Sequence, residues 1–368
     1  MRAYQTPGID EIFDLYVAYG YVEALVRGGA REVTLIPTGT ASGSYYSVEG
    51  DGNFRRGLID ALGEMLSLHY ALGTYSQGEG GSVISDSDFS AGANVNNAYW
   101  DSVPSRLRNI LEKLRAGKKL GGKYPIPITL MPSAGKFIPQ HMGVQGGNPL
   151  KVDSLDYALA WVGFHYYTPY IRYTKGNRTW VHIYQVVPQE CLNLVELLAL
   201  KDLKKHFPHY YEANMGYLSN PRLALFYHIL HTESLGAIET VMKRPLLVRS
   251  YTLEREGNNQ AIRSYGEEDV GKLMDFLWEL KRRSTYHTVR FFDALLKKES
   301  EAILAVIDAV INDRPEGLYQ GLRIAKRVGI TPPQSIVEGM EAFIDALHFP
   351  FALKGTSENP LRVGRCRS

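Results

Sequence analysis

The chain has 368 residues, of which 45% are hydrophobic and 22% are charged, a composition typical of a globular protein. This length exceeds that of a usual single domain, so we expect two domains or one domain with a large appendage. No apolar run approaches the length of about 18 residues that a membrane helix needs. Asp10, Glu11 and Asp14 fall where a signal peptide needs its apolar segment. We therefore expect a cytoplasmic protein with no membrane span.

The net charge of +2 conceals two oppositely charged segments. Residues 1–100 carry 5 basic and 12 acidic side chains, a net of −7. Residues 101–151 carry 9 basic and 2 acidic side chains, a net of +7. Such an excess produces a positive field over part of the surface and favours an anionic partner.

The first hundred residues predict two helices and a hairpin. Apolar and small residues recur at helical spacing over residues 9–25, with Asp10 as the amino-terminal cap. Residues 32–49 predict a β-hairpin, and residues 54–73 predict a second amphipathic helix. Residues 73–98 are rich in Gly, Ser and Asn and lack either periodicity, so we expect a long polar loop.

The middle of the chain predicts a basic helix and another hairpin. Residues 104–115 have helical periodicity, the run IPITLMP predicts a strand, and residues 153–163 predict a short helix. FHYYTPYIRY and TWVHIYQVV are β-branched and aromatic runs separated by a turn with Gly176. Pro169 lies inside the first run, which predicts an edge or bulged strand.

From about residue 188 the pattern is helical. The predicted helices cover residues 189–206, 221–243, 267–283, 286–312, 316–328 and 333–347, and residues 246–254 predict a strand. We therefore predict an α+β protein: a mixed α/β domain with β-hairpins at residues 1–188, then a helical domain at residues 189–368. The first domain is the candidate nucleic-acid-binding part, and the second is a candidate assembly surface.

The strongest functional signal is the basic helix and the residues after it. Leu107, Ile110, Leu111 and Leu114 form its apolar stripe. The remaining positions and the following glycine-containing segment carry seven cations and one acid, Glu112. The cations are Arg106, Arg108, Lys113, Arg115, Lys118, Lys119 and Lys123. Neutralisation of phosphates needs such a surface and no fixed motif. The alternative is an ordinary solvated helix face.

Two further segments are candidates for nucleic-acid contact. The second hairpin interleaves basic and aromatic residues, namely Arg172, Tyr173, Lys175, Arg178 and Trp180, a pattern suited to single strands. In the polar loop, Asn94, Asn96 and Asn97 carry amides that can pair with adenine edges. A disordered surface loop is an equally good interpretation of that segment.

Signals for catalysis are weak. The chain has no GxxxxGK[ST] loop, GxGxxG, HExxH or GxSxG motif. Asp86 and Asp88 are candidate paired carboxylates, although a DxD in a Ser- and Gly-rich loop is explained equally well by turn formation. Two HxxH pairs, His206 with His209 and His228 with His231, are candidate metal ligands, and neither Cys191 nor Cys366 has CxxC spacing. We expect no enzyme activity, no metal and no cofactor. The alternatives are a metal-dependent nuclease or hydrolase that uses these aspartates and histidines, and a protein–protein adaptor.

The order of four features resembles a known family. They are the segments YGYVEALVRGGAREVTL, DYALAWVGFHYYTPYIRY and TKGNRTWVHIYQVVP, followed by the helical carboxy-terminal half. Together they resemble the archaeal large-subunit family of subtype I-A CRISPR Cascade complexes, the Cas-eight-a or Csa-four type. The resemblance implies a non-enzymatic subunit in antiviral defence that contacts guide RNA, target DNA, other Cascade subunits and a recruited helicase-nuclease. It also implies a part in recognising the motif that flanks the target. It assigns no individual residue to these roles.

Overall fold

The computed structural model describes residues 2–39, 43–73, 102–127, 129–132, 150–176, 178–205, 215–233, 235, 246–256 and 259–348. Residues 74–98 of the predicted polar loop, and residues 206 and 209, lie outside these ranges. The chain forms two compact units, Met1–Ala213 with Leu247–Glu268, and Asn214–Leu246 with Asp269–Ser368. This division does not coincide with the predicted boundary between residues 188 and 189. The α+β fold class is confirmed.

The described residues of the first unit form three antiparallel sheets. Strands β1 (Arg2–Gln5), β2 (Val33–Pro37) and β3 (Tyr46–Gly50) join β8 (Leu192–Asn193) in the order β1-β3-β2-β8. Strands β6 (Tyr170–Lys175), β7 (Arg178–Val187), β9 (Leu247–Glu256) and β10 (Asn259–Asp269) form a second sheet, β10-β9-β7-β6. Strands β4 (Lys123–Pro125) and β5 (Lys151–Asp153) pair separately. Both predicted hairpins are confirmed, and β6 is an edge strand as Pro169 indicated.

The helices of the first unit are α1 (Glu11–Arg27), α2 (Phe54–Gly73), α3 (Ser102–Arg115), α4 (Ser154–Tyr167) and α5 (Leu194–Lys205). Helix α1 begins where predicted, because the Asp10 carboxylate accepts hydrogen bonds from the amides of Ile12 (3.0 Å) and Phe13 (3.2 Å). Every residue from Ile12 to Leu25 is buried. The helix is therefore enclosed on all sides, whereas the sequence indicated a single apolar stripe.

Helices α1 and α4 cross at two glycines. A Cβ added at Gly20 would lie 1.9 Å from the carbonyl oxygen of Leu159, and one at Gly163 would lie 1.9 Å from that of Tyr16. Real Cβ atoms do not approach a carbonyl oxygen so closely, so the two backbones can touch only where these side chains are missing. On another side of α1, the Tyr16 hydroxyl hydrogen-bonds the Tyr251 hydroxyl of β9 at 2.5 Å.

The predicted strands and helices differ from the structure at several places. Residues 164–167 continue helix α4 instead of starting a strand, because Tyr167 stacks in parallel on Tyr19 of α1 at 4.9 Å. The strand predicted at IPITLMP is replaced by β4, which ends at Pro125, and residues 129 and 130 form a turn. The helix predicted to begin at residue 267 begins at Gly271, because residues 259–269 extend the sheet as β10. Long-range packing overrides local propensity at these places.

The second unit is helical in its described part. Its helices are α6 (Pro221–His231), α7 (Gly271–Lys298), α8 (Ser300–Ile311), α9 (Pro315–Arg327) and α10 (Gln334–His348). Phe226 of α6 and Phe276 and Phe292 of α7 make edge-to-face contacts at its centre, at 5.2 and 6.5 Å from Phe292. Ser284 has non-helical backbone angles and interrupts α7, which matches the break predicted between residues 283 and 286.

Candidate nucleic-acid interface

The predicted basic helix exists and is amphipathic as expected. Leu107, Ile110, Leu111 and Leu114 are each at most 7% exposed, so they anchor α3 to the first unit. Arg108 and Arg115 are exposed and lie seven residues apart, which places them on one outer face of the helix. Lys113 is half-buried on the flank. Burial of one stripe therefore fixes which cations of α3 face water.

Helix α3 ends in a turn that fixes the lysines after it. Gly117 adopts a positive φ of 70°. The amide of Gly117 donates to the Leu114 carbonyl (3.2 Å) and that of Lys118 to the Lys113 carbonyl (2.9 Å). This is the Schellman arrangement that commonly closes a helix. Lys118 and the exposed Lys119 consequently follow the carboxy-terminal end of α3 directly, where cations are also favoured by the helix dipole.

Helix α2 contributes two arginines that the sequence analysis did not single out. The Arg55 guanidinium donates two hydrogen bonds, of 2.5 and 3.2 Å, to the Leu114 carbonyl at the end of α3. The Arg115 guanidinium lies beside α2 in turn, since a Cβ added at Gly63 would be 3.4 Å from its Nη2. Arg56 is exposed next to Arg55. In the sequence, these arginines are visible only as a basic dipeptide at the start of a predicted helix. The helix that Arg55 contacts, α3, lies about 60 residues later in the chain.

We call this group the α3 basic surface. It comprises Arg55, Arg56, Arg108, Lys113, Arg115, Lys118 and Lys119. The exposed acids on the same two helices are Asp60, Glu64 and Glu112, and Glu64 is already paired with Arg27 at 2.5 Å. The pKa of Glu64 lies below its ordinary value because Arg27 donates a hydrogen bond to it. Cations therefore exceed uncompensated acids on this surface.

Arg106 and Lys123, which were predicted with the others, have different surroundings. The Arg106 guanidinium lies over the Tyr124 ring, 5.4 Å from its centroid, and is half-buried. Lys123 is exposed but has Asp153 as its cross-strand partner on β5. Arg106 is therefore partly withdrawn from solvent, and Lys123 has an acidic residue opposite it on the neighbouring strand.

The second hairpin exposes charged side chains to solvent, but the Tyr173 ring is buried. Lys175 and Arg178 are exposed and face each other at its turn, and Arg172 lies on β6 opposite Val181. Tyr173 is 2% exposed and stacks on Trp180 with ring centroids 5.7 Å apart. The Tyr173 ring therefore belongs to the core.

Most of the other candidate residues lie in parts of the chain that the structure does not describe. Asn94, Asn96, Asn97, Asp86, Asp88, His206 and His209 lie outside the described residues. His228 is buried, and His231 Nε2 lies 3.0 Å from Asp293 Oδ1. Among the described residues, no group of at least three His, Cys, Asp or Glu side chains could hold a metal ion. Within the same part of the chain, no helix is long and apolar enough to cross a membrane.

Comparison with known proteins identifies the family to which the chain belongs. The family model described as CRISPR-associated protein (Cas_Csa4) matches residues 2–346, so the chain belongs to this family of CRISPR-associated proteins. The resemblance noted in the sequence is confirmed. A curated relative from Methanocaldococcus jannaschii, named CRISPR-associated protein Cas8a2/Csa4, is 47% identical over 343 residues, covering 91% of this chain and 92% of its own length. These findings support a role in CRISPR defence.

Proposed function

We propose that this chain is a non-catalytic, nucleic-acid-binding large subunit of a type I-A CRISPR Cascade complex. In this role it helps to recognise the target-flanking motif and to hold the guide and target strands. Its partners are guide RNA, target DNA, other Cascade subunits and a recruited helicase-nuclease. In RNA-guided systems base pairing reads the sequence, and the protein contributes contacts to backbone, duplex shape and flanking motif.

The observation that carries the proposal is the α3 basic surface. All of its cations except the half-buried Lys113 are exposed, and the buried stripe of α3 together with the Arg55 hydrogen bonds to Leu114 fixes α3 against its neighbours. The interaction with the helix dipole accounts for a few cations at the end of a helix. It does not account for the additional cations on α2 and after Gly117. Together these cations form a surface suited to binding a chain of phosphates.

Removing cations from this surface tests the proposal. Replacement of Arg115, Lys118 and Lys119 by Ala should flatten the dependence of log K on log salt by about 2 to 3, at roughly 0.7 to 0.9 per phosphate contact. Binding should weaken on all sequences alike. Stability should hold, because exposed substitutions usually change it by less than about 0.5 kcal/mol. The measurement is a salt titration of target DNA binding, on the free protein and on the assembled complex.

A matched triple variant controls for net charge. Arg222, Arg263 and Lys272 are cations that already pair with Asp308 (2.8 Å), Glu254 (2.6 Å) and Asp313, respectively. Their replacement by Ala removes the same formal charge and should leave the salt slope unchanged. If both triple variants give the wild-type slope in both settings, α3 has a merely solvated face.

Substitution of Asn94, Asn96 or Asn97 should instead change sequence preference at a nearly constant salt slope.

The absence of catalysis is tested separately. Purified protein should not cut DNA or RNA in the presence of Mg²⁺ or Mn²⁺, because no nucleophile–base pair or convincing metal cluster is visible in the sequence. The measurement is incubation of labelled substrates with separation of the products. Reproducible cleavage that disappears in Asp86→Ala or Asp88→Ala would replace this proposal with a metal-dependent nuclease.

A further inference from the structure

The interruption in α7 displays a second group of basic and aromatic side chains. Ser284 has φ −164° and ψ 102°, and the helix resumes after it. The Ser284 side chain accepts a hydrogen bond from the His287 amide (3.3 Å), and its carbonyl accepts one from the Thr288 hydroxyl (2.8 Å). Ser284 thus acts as an amino-terminal cap of the second half of α7. The residues that follow are held in the first turn of a capped helix.

Tyr286 lies in this turn and is 64% exposed, the largest exposed fraction among the large apolar side chains of the described residues. Its hydroxyl oxygen accepts a hydrogen bond from Arg290 Nη1 at 2.6 Å, and the Arg290 guanidinium carbon is 5.7 Å from the ring centroid. The ring is therefore exposed to water and has a cation beside it. A tyrosine side chain has only two torsions, so stacking a planar ligand on it costs little conformational entropy.

The surroundings of this ring are cationic. Residues 282–290, which contain the ring, carry three arginines and no acid. Arg283 extends across α10 at Gly339, where an added Cβ would lie 3.2 Å from the arginine Cδ. Glu279 neutralises part of the charge, since it pairs with Arg282 at 2.8 Å and Arg283 at 3.3 Å. His287 Nδ1 is 3.4 Å from the Ser335 hydroxyl at the start of α10.

We propose that Arg283, Tyr286, His287 and Arg290 form a binding site for single-stranded nucleic acid. One unpaired base stacks on the Tyr286 ring, and phosphates on either side of it lie against Arg283 and Arg290. The inference rests on the proposed function, since it places a second contact site on the same nucleic-acid-binding subunit. A single strand fits better than a duplex, because only unpaired bases present a free face to an aromatic ring.

A protein partner fits this surface less well. The centre of a protein–protein interface is depleted of charged residues. Here the exposed ring is flanked by arginines, and the apolar residues next in sequence, Phe291 and Phe292, are buried in the core of the unit. Cations around one exposed ring are the combination found in sites that bind single strands.

Ring and charge are tested separately. Tyr286→Ala should weaken binding of a short oligothymidylate to the full-length protein by roughly 5- to 150-fold, the usual effect of losing one stacked base. Tyr286→Phe should retain most of the affinity, because it retains the ring. Arg290→Gln should weaken binding and reduce its salt dependence. Tyr265→Ala is the matched control, since Tyr265 is 55% exposed but donates its hydroxyl hydrogen to Glu267 at 3.1 Å.

A crosslinking arm locates the contact within the assembled complex. Target DNA with 5-iodouracil in its displaced strand should crosslink to the peptide containing Tyr286, and Tyr286→Phe should crosslink while Tyr286→Ala should not. If Tyr286→Ala binds oligothymidylate and crosslinks like wild type, the inference is overturned. It is also overturned if Tyr286→Ala releases another subunit and leaves single-strand binding intact.

The outcomes separate this inference from the proposed function. If the α3 triple variant loses salt dependence and Tyr286→Ala has no effect, the proposed function stands and the second site is absent. If Tyr286→Ala alone reduces single-strand binding, the second site stands and the α3 basic surface fails. If neither the α3 triple variant nor Tyr286→Ala changes binding, the proposed function and the second site are both overturned.

Discussion

Gly163→Ala should lower the free energy of unfolding by about 3 kcal/mol or more, and Gly20→Ala should have a similar effect. The added methyl groups would lie 1.9 Å from the carbonyl oxygens of Tyr16 and Leu159, respectively. Both carbonyl oxygens are backbone atoms of buried helices, so no side-chain rotation can relieve the overlap. Helices α1 and α4 would have to separate. The hydrogen bonds that join α1 to β7, from Tyr19 to the Val186 carbonyl and from Gln185 to the Ile12 carbonyl, would then be strained. Denaturant and thermal unfolding measure the loss.

Gly63→Ala is the matched control for this prediction. Gly63 is also a helical glycine of the first unit, but a Cβ there would meet only the tip of Arg115, at 3.4 Å. Alanine is favoured over glycine inside a helix by up to about 1 kcal/mol, so this variant should be neutral or slightly more stable. Equal unfolding midpoints for Gly163→Ala and Gly63→Ala would show that α1 and α4 do not pack at van der Waals contact.

Glu23→Leu should destabilise the protein by about 2 to 4 kcal/mol, because it removes the acid from a buried ion cluster. The Glu23 side chain is fully buried and accepts hydrogen bonds from Arg27 (2.5 Å) and Lys201 (2.8 and 3.0 Å). Without it, Lys201 remains partly desolvated with no carboxylate partner in this group. The expected loss is below that of a fully buried pair, since Arg27 and Lys201 are each 20% exposed. Chemical denaturation provides the measurement.

Two further variants examine this ion cluster. Glu64→Gln removes the other acid that pairs with Arg27, but Glu64 is 47% exposed, so its loss should cost less than about 1 kcal/mol. The double variant Glu23→Leu with Lys201→Met should recover part of the stability lost in Glu23→Leu, because it also removes the uncompensated cation. If Glu23→Leu and Glu64→Gln were equally mild, burial would not control the strength of these pairs.

Local signals in the sequence were sufficient for several elements. The Asp10 cap and the apolar spacing predicted α1, and the turn between two β-branched runs predicted the β6–β7 hairpin. The apolar stripe of α3 predicted which of its faces is buried, and hence which cations lie outside. Each of these features depends on residues within one or two turns of each other, so the chain carries the information locally.

The sequence alone did not indicate features that depend on distant partners. Strand β7 pairs with β9, which lies about 70 residues later in the chain. Likewise, Arg55 joins the α3 basic surface only because α2 packs against α3. The basic segment of residues 281–298 gave no functional signal, since its apolar residues already explained a helix and Tyr286 could equally have faced the core.

The sequence by itself determined the α+β class, the membership in a CRISPR-associated family, and the presence of a strongly basic amphipathic helix. The tertiary structure decided which charged and aromatic side chains are exposed together. Tyr173 and Tyr286 have the same chemistry, but the ring of one is buried against Trp180 and that of the other lies in solvent beside Arg290. Burial depends on contacts between elements far apart in the chain, and periodicity within one element does not specify those contacts.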